Sequence, residues 1–225
     1  MCEKSRERKA TMKENSLHSD LAAGKIKAES IMDGMAAKKI PLALVLEGLS
    51  GQLPRVKFSC SKALLLLSEK HPEMLRDSID AIATLLDSEN QILKWNATAI
   101  MGNLAAKDTE GRVRSRLKKI CGFLDGGELI TANNAIAALG KMARAFPEER
   151  KRIVRRLIGV ERGMFETEEC RNIAIGKAIL AVEMFCSPEN PGKQVLDFVG
   201  RQTCNSRTAT ANKAKAFIAR CRRRY

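Results

Sequence analysis

The sequence predicts an all-α protein, a right-handed α-solenoid of about five antiparallel helix pairs. The first observation behind this prediction is a triplet that recurs at steps of 37, 38 and 41 residues. Its copies are HPE at 71–73, DTE at 108–110, FPE at 146–148 and SPE at 187–189. A self-similar period of about 40 residues is typical of stacked helical pairs. Proline suits the first turn of a helix and glutamate stabilises the positive end of the helix dipole, so each triplet is predicted to start a helix.

The second observation is an apolar pattern that recurs with the same period. Apolar residues spaced at i, i+4, i+7, i+8 and i+11 occupy one face of an α-helix, and we expect this face to pack into the core as the second helix of each pair. The first three copies are Val56, Cys60, Ala63, Leu64 and Leu67, then Leu93, Ala97, Ile100, Met101 and Leu104, then Thr131, Ala135, Ala138, Leu139 and Met142.

The third observation is the composition. Alanine and leucine are abundant, whereas the 225 residues include only nine aromatic side chains. This composition favours helices that pack closely through small residues over a β-sandwich.

Residues 1–35 are predicted to form a charged N-terminal tail with a capping helix over residues 18–34. The repeat domain is predicted to span residues 36–225. Residues 1–16, MCEKSRERKATMKENS, are charged throughout and are expected to be disordered. The first repeat begins after Pro41, where Leu42, Val45 and Leu49 form the apolar face of its first helix.

The remaining first helices, and the last two pairs, follow from the same pattern. The first helices of the second and third pairs are expected to bury Leu75, Ile79, Ile82 and Leu86, and Val113, Leu117, Ile120 and Leu124. The fourth pair is expected to bury Ile153, Leu157, Val160 and Met164, with Ile175, Ala178, Ile179 and Val182. The fifth is expected to bury Leu196 and Val199, with Thr210, Ala214, Phe217, Ile218 and Cys221.

Two segments resemble known helical repeats. LLDSENQILKWNATAIMGNLAAKD at 85–108 resembles an armadillo-type repeat, and VKFSCSKAL at 56–64 is similar to the second helix of a HEAT repeat. The resemblance covers about 190 of the 225 residues and implies a HEAT/armadillo-like solenoid, a class made up mostly of adaptors and scaffolds.

Armadillo proteins that clamp extended peptides carry a ladder of asparagines along the inner helices, with a tryptophan one turn earlier. Asn103 matches the asparagine place of that motif, but Lys141 and Arg220 stand at two of its equivalents. The resemblance therefore does not extend to the peptide-clamping ladder.

We expect a non-enzymatic adaptor or scaffold that binds a protein partner on the concave face of the second helices. The candidate partner-binding residues lie beside the buried stripe: Lys57, Lys94, Trp95, Asn96, Asn133 and Asn134. Asn96 and Asn134 occupy equivalent places in successive second helices, and Ser59 occupies the same place in the helix before them. Two interpretations remain: these side chains form hydrogen bonds between neighbouring second helices, or they form a shared row that contacts the ligand. No Gly-rich phosphate loop, GxSxG or HExxH motif is present, so no catalytic residue or cofactor is predicted.

A nucleic-acid-binding solenoid is the alternative. The net charge is +14, and residues 201–225 hold eight basic and no acidic side chains. Basic side chains that would neutralise phosphates fall on two first helices and on the last helix and tail. They are Arg112, Arg116, Lys119, Arg152, Arg156, Arg207, Lys213, Arg220, Arg222, Arg223 and Arg224. The competing interpretation of these residues is a solvated, capped surface.

A second alternative is an enzyme of the HEAT type, such as a DNA glycosylase or a bilin lyase, with a pocket around Trp95, the only tryptophan. The seven cysteines include no CxxC pair, so they are expected to be small buried residues and not metal ligands. The sequence shows no signal peptide and no apolar run long enough to cross a membrane, and we expect a cytoplasmic protein without a membrane or small-molecule partner.

Overall fold

The computed structural model describes residues 17–187 and 189–222. Arg222 is described by its backbone alone. Over these residues the chain is helical, and the only β-type pairing is an isolated bridge between Ser187 and Asn190. The all-α prediction is confirmed. The chain divides into two compact units, Met1–Ile100 and Met101–Tyr225.

The N-terminal unit contains the first two helix pairs. Its described α-helices are α1 over 17–22, α2 Ala28–Ala36, α3 Leu42–Gly48, α4 Pro54–Lys70, α5 Ile79–Ala83 and α6 Gln91–Leu104, whose last residues enter the C-terminal unit. 3₁₀ segments at Pro72–Ser78 and Thr84–Asp87 flank α5. The first helix of the second pair is therefore largely a 3₁₀ helix.

The C-terminal unit contains the remaining three pairs. Its α-helices are α7 Leu117–Gly122, α8 Leu129–Ala145, α9 Arg150–Gly159, α10 Glu168–Glu183, α11 Lys193–Arg201 and α12 Thr208–Arg222. Short 3₁₀ segments lie at Ala105–Lys107, Arg114–Arg116, Pro147–Glu149, Val160–Arg162 and Gln202–Cys204. In each pair, α7 with α8, α9 with α10 and α11 with α12, the second helix is the longer one.

The predicted apolar faces form the core. In the three aligned second helices every predicted core residue is buried except Thr131, which is half-buried. In the first helices of the second and third pairs, all of the predicted core residues are also buried. The repeat period and the rotation of these helices were therefore predicted correctly.

Two predicted core residues are exposed, and both lie where a helix ends or begins differently from the prediction. Met164 has 90% of its surface exposed because the first helix of the fourth pair ends at Arg162 and the chain is extended at Gly163. Leu196 is exposed because α11 turns Val195 and Phe198 inward, together with the predicted Val199. Leu42 and Ile218 are only half-buried.

Two of the four triplets start helices as predicted: 3₁₀ segments begin at Pro72 and Pro147. The prediction was wrong for the other two. At DTE the Oδ2 atom of Asp108 accepts a hydrogen bond from the backbone N–H of Arg114 at 2.8 Å, and the helical segment begins only there. After SPE, α11 begins at Lys193, following Gly192 with φ of 81°.

The predicted capping helix over 18–34 is two helices, α1 and α2. The chain turns between them at Gly24, where φ is 73°, a conformation that glycine adopts without steric cost. α2 then packs against α4 of the first pair. The disorder predicted for 1–16 falls outside the described residues.

Candidate functional site

In the N-terminal unit, the second helices α4 and α6 are joined by a side-chain hydrogen bond. Nδ2 of Asn96 donates to Oγ of Ser61 at 2.9 Å. This agrees with the interpretation that Asn96 forms a hydrogen bond to the neighbouring second helix. The partner on α4 is Ser61, and not Ser59 at the equivalent place.

Exposed apolar side chains lie one turn before the residues of this contact. Ile92, four residues before Asn96, has 42% of its surface exposed, and Leu53, four residues before Lys57, is also exposed. Lys57 itself is half-buried and lies one turn before Ser61. We call Leu53, Lys57, Ile92 and Asn96 the N-terminal patch. It combines two apolar side chains with one cation and one amide.

Lys94 and Trp95, the other candidates on α6, are both half-buried. The backbone carbonyl of Lys94 accepts a hydrogen bond from Oγ1 of Thr98 at 2.8 Å, so this part of α6 is tied internally. Lys57, Lys94, Trp95 and Asn96 all lie in the N-terminal unit, whereas Asn133 and Asn134 lie in the C-terminal unit. A single surface shared by all six residues therefore remains a prediction.

In the C-terminal unit, α10 packs against α8, α12 and α9, which leaves one side of α10 in solvent. Lys177, Leu180 and Met184, spaced at i, i+3 and i+7, lie on that side and are all exposed. The solvent side of α8 carries Ile130, with 50% of its surface exposed, and Asn134. We call these five residues the C-terminal patch.

The two asparagines of α8 differ in their bonding. Nδ2 of Asn134 donates to the backbone carbonyl of Ile130 at 2.9 Å, which ties the side chain to its own helix. Asn133 lies two turns before Gly140 and therefore on the side that faces α10. Its Oδ1 atom is buried and accepts no hydrogen bond from the described residues.

The exposed isoleucines were missed by the sequence analysis, although a signal was present. Ile92 and Ile130 occupy equivalent places in successive second helices, 38 residues apart, and each is followed four residues later by an asparagine. Both isoleucines fall one residue outside the predicted core face. An apolar residue repeated outside the core face is a signal for a contact surface.

Most of the arginines predicted to bind anions are engaged by carboxylates. The pairs are Arg112 with Glu110 at 2.5 Å, Arg152 with Glu149 at 3.8 Å, Arg156 with Asp125 at 2.6 Å, Arg207 with Glu169 at 2.7 Å, and Arg220 with Glu183. Arg116 and Lys119 are half-buried. The positive charge of these stripes is therefore largely balanced, which favours the solvated-surface interpretation. Arg223, Arg224 and the side chain of Arg222 lie outside the described part of the chain.

Lys213 is the exception among the described candidates. It has no carboxylate partner in the part of the chain that the structure describes, and it lies against Gly176 of α10. Burial lowers the pKa of Lys213, and the neighbouring cations Lys177 and Arg207 lower it further. An unbalanced cationic pair, Lys177 and Lys213, thus lies across α10 and α12.

Four of the six described cysteines have poorly reactive thiols, whereas Cys204 is exposed, against the expectation that the cysteines are buried. Burial raises the pKa of Cys60 and of Cys186 to about 11, and it also raises the pKa of Cys121 and Cys221. Because the thiolate is the nucleophile, these thiols are poorly reactive near neutral pH. Within the described ranges, no group of three His, Cys, Asp or Glu side chains lies close enough to hold a metal ion. None of the described helices has the length and apolarity needed to cross a membrane.

No protein-family model and no curated protein matches the sequence. Solved structures do match the fold. A designed armadillo repeat protein in complex with the peptide (KR)4 has a TM-score of 0.61 at 15% identity, over 92% of this chain and 90% of that one. A second designed armadillo repeat protein has a TM-score of 0.59 at 17% identity, over 91% of this chain and 90% of that one. The chain therefore has the armadillo/HEAT-type helical-repeat fold, an all-α solenoid, as the repeat pattern predicted.

Proposed function

We propose that this chain is a non-enzymatic scaffold that binds a protein partner through the solvent sides of its second helices. The observation that carries the proposal is the repeated exposure of an isoleucine, Ile92 and Ile130, at equivalent places of successive second helices. Single exposed apolar residues are normal on a protein surface. A pair in register with the repeat, each beside an asparagine, is better explained by a contact.

The C-terminal patch adds two further apolar side chains, Leu180 and Met184, one turn apart on α10. Burying an aliphatic side chain of this size contributes roughly 1.5–3 kcal/mol. Methionine adapts to irregular partner surfaces because its side chain is flexible and polarisable. These residues would act as apolar anchors, while Asn134 and Lys177 would set the orientation of the partner at the rim.

The charge of Lys177 in the C-terminal patch, and of its neighbour Lys213 on α12, constrains the partner. A designed armadillo repeat protein of similar fold is in complex with the basic peptide (KR)4, but Lys177 and Lys213 would repel such a peptide here. We therefore propose a partner whose contact surface is apolar and carries carboxylates opposite these lysines.

Charge insertion at the isoleucines tests the proposal. The tagged protein and its variants Ile92→Glu and Ile130→Glu are used to capture partners from lysate of the source cells, and the dissociation constant of each recovered partner is then measured by calorimetry. Loss of one buried isoleucine is expected to weaken a partner at least about tenfold. Both side chains are exposed, so the fold should be retained and is checked by circular dichroism.

Lys62→Glu and Lys118→Glu are the matched controls, because both lysines are exposed on helices but lie outside the two patches. They should leave the affinity unchanged within about twofold. If every specific partner binds the two isoleucine variants as tightly as the wild type, the second-helix sides are not the binding surface and the proposal is wrong.

A further inference from the structure

A cleft of about 680 Å³ lies in the C-terminal unit, and none of its lining residues belongs to the two patches defined above. It is bounded by α9, by the turn that follows α10, and by the first residues of α11. Its volume falls in the range of about 300–1,000 Å³ that ligand sites occupy. All three walls belong to one compact unit.

The floor of the cleft is apolar. Val154 and Phe185 are half-buried there, and Val195 is buried. The thiol of Cys186 also faces this region, and burial raises its pKa to about 11, so it is a neutral group at physiological pH. Such a floor can accept one bulky apolar side chain without leaving a polar group unsatisfied.

The rim of the cleft is cationic. Arg150, Lys151 and Arg155 line it from α9, and Lys193 lines it from the start of α11. The Nε atom of Arg150 donates to the carbonyl of Ala143 at 2.9 Å, which holds this guanidinium in place. Lys151, Arg155 and Lys193 are exposed and, over the described residues, have no carboxylate partner.

The cations of α9 are thus sorted by position. Arg152 and Arg156, which do not line the cleft, are balanced by Glu149 and Asp125. Lys151 and Arg155, one residue earlier in each case, line the cleft and are not balanced. If the cations of α9 served only to keep the surface soluble, their pairing with carboxylates would not depend on whether they line the cleft.

We propose that this cleft binds an acidic peptide segment of a partner protein, with one apolar side chain on the floor and flanking carboxylates at the rim. Charge complementarity decides the occupant. The two ends of the chain outside the described residues cannot fill the cleft favourably, because 1–16 hold five basic and three acidic side chains and 223–225 hold two arginines. A second copy, with a net charge of +14, is disfavoured for the same reason.

Nucleic acid fits this cleft less well than a peptide does. A phosphate backbone would engage the rim cations but offers no aliphatic or aromatic side chain for Val154, Phe185 and Val195. Proteins that bind single strands stack the bases on several aromatic side chains. The lining of this cleft includes one aromatic side chain, Phe185, and it is half-buried.

The probe for the test is a phage-displayed library of random peptides, selected against the full-length protein. Enriched sequences are synthesised with a fluorescein label and their binding is measured by fluorescence anisotropy. We expect sequences with an apolar residue flanked by Asp or Glu. The variant Lys151→Glu/Arg155→Glu/Lys193→Glu should weaken them at least about tenfold, and Val154→Asp should do the same through the floor.

The matched control is Lys62→Glu/Lys118→Glu/Lys215→Glu, which changes the net charge equally at three exposed lysines outside the cleft. It should keep most of the affinity. Hydrogen exchange provides a second measurement, since bound peptide should protect amides in 185–195.

Three outcomes would overturn the proposal. The first is a selection that returns no peptide dependent on the cleft residues. The second is a set of enriched peptides that lack acidic residues. The third is binding of duplex DNA, but not of acidic peptides, through the three cleft cations. Because Ile92 and Ile130 are intact in all of these variants, failure here is distinguishable from failure of the second-helix surface.

Discussion

In the C-terminal unit, Gly102 of α6 lies so close to Ala138 of α8 that a β-carbon at position 102 would stand 2.8 Å from the α-carbon of Ala138. The same arrangement recurs one repeat later, where a β-carbon at Gly140 would stand 3.2 Å from the α-carbon of Ala181. Successive second helices therefore approach at backbone distance, and the absence of a side chain at these glycines sets the spacing between repeats.

Gly102→Ala is predicted to destabilise the protein by roughly 1–3 kcal/mol, the usual range for overpacking a tight contact. The clash is with backbone, which cannot rotate aside, and it should outweigh the gain of about 1 kcal/mol that alanine has over glycine in a helix. Urea unfolding measures the change. Gly159→Ala is the control, because its β-carbon would meet open space, and this variant should be neutral or slightly more stable. Equal stabilisation by both substitutions would show that the repeats can shift apart.

Asn172 is predicted to be the main polar tie between α10 and the last repeat. It is buried, its Nδ2 donates to Oγ of Ser206 at 2.9 Å, and its Oδ1 accepts from Nδ2 of Asn205 at 2.9 Å. Asn172→Ala removes both of these hydrogen bonds, so that, among the described residues, Nδ2 of Asn205 keeps only its bond to Gln202 and Oγ of Ser206 only its bond to Glu168. The loss is expected to cost about 1–3 kcal/mol, with faster hydrogen exchange at 202–210. Asn212→Ala, at an exposed place on α12, should change the free energy of unfolding by less than about 0.5 kcal/mol. Similar costs for the two variants would contradict the network.

Cys60 is predicted to make stability fall at alkaline pH. Burial raises the pKa of Cys60 in the folded protein from 9.0 to about 11, so between these values the unfolded chain has lost the thiol proton and the folded chain has kept it. Stability from this group is therefore complete below about pH 9 and decreases as pH rises toward about 11. The measurement compares urea unfolding of wild type and Cys60→Ala at about pH 8 and about pH 10. The variant should lose less stability over this interval; parallel losses would show that Cys60 does not titrate differently in the two states.

Lys177→Glu is predicted to raise the melting temperature. Lys177 is one of the cations that lower the pKa of Lys213, and a glutamate there would replace repulsion by attraction. The gain should be a few tenths of a kcal/mol, typical of surface pairs, and it should shrink in high salt because exposed charges are screened. Thermal unfolding at low and high salt measures it, with Lys215→Glu as the control. A salt-independent change, or one equal to that of the control, would indicate a different cause.

The helices and the core could be predicted because each repeat carries the same apolar spacing. Val56, Leu93 and Thr131 begin equivalent faces, and burial of such a face determines the rotation of its helix. The ends of the helices could not be predicted equally well. Met164 and Leu196 fit the spacing but fall where a loop, and not the period, controls the backbone.

By itself, the amino-acid sequence determined the all-α class, the number of helix pairs and most of the residues that each pair buries, since these depend on local periodicity that recurs along the chain. Only the tertiary structure decided which cations keep their charge unbalanced. Arg156 meets Asp125 across 31 positions and Arg207 meets Glu169 across 38, whereas Lys151 and Arg155 meet no carboxylate in the described chain. The reason is physical: charge pairing depends on distances of a few ångströms between different repeats, and the same spacing of arginines and lysines in the sequence is compatible with either arrangement.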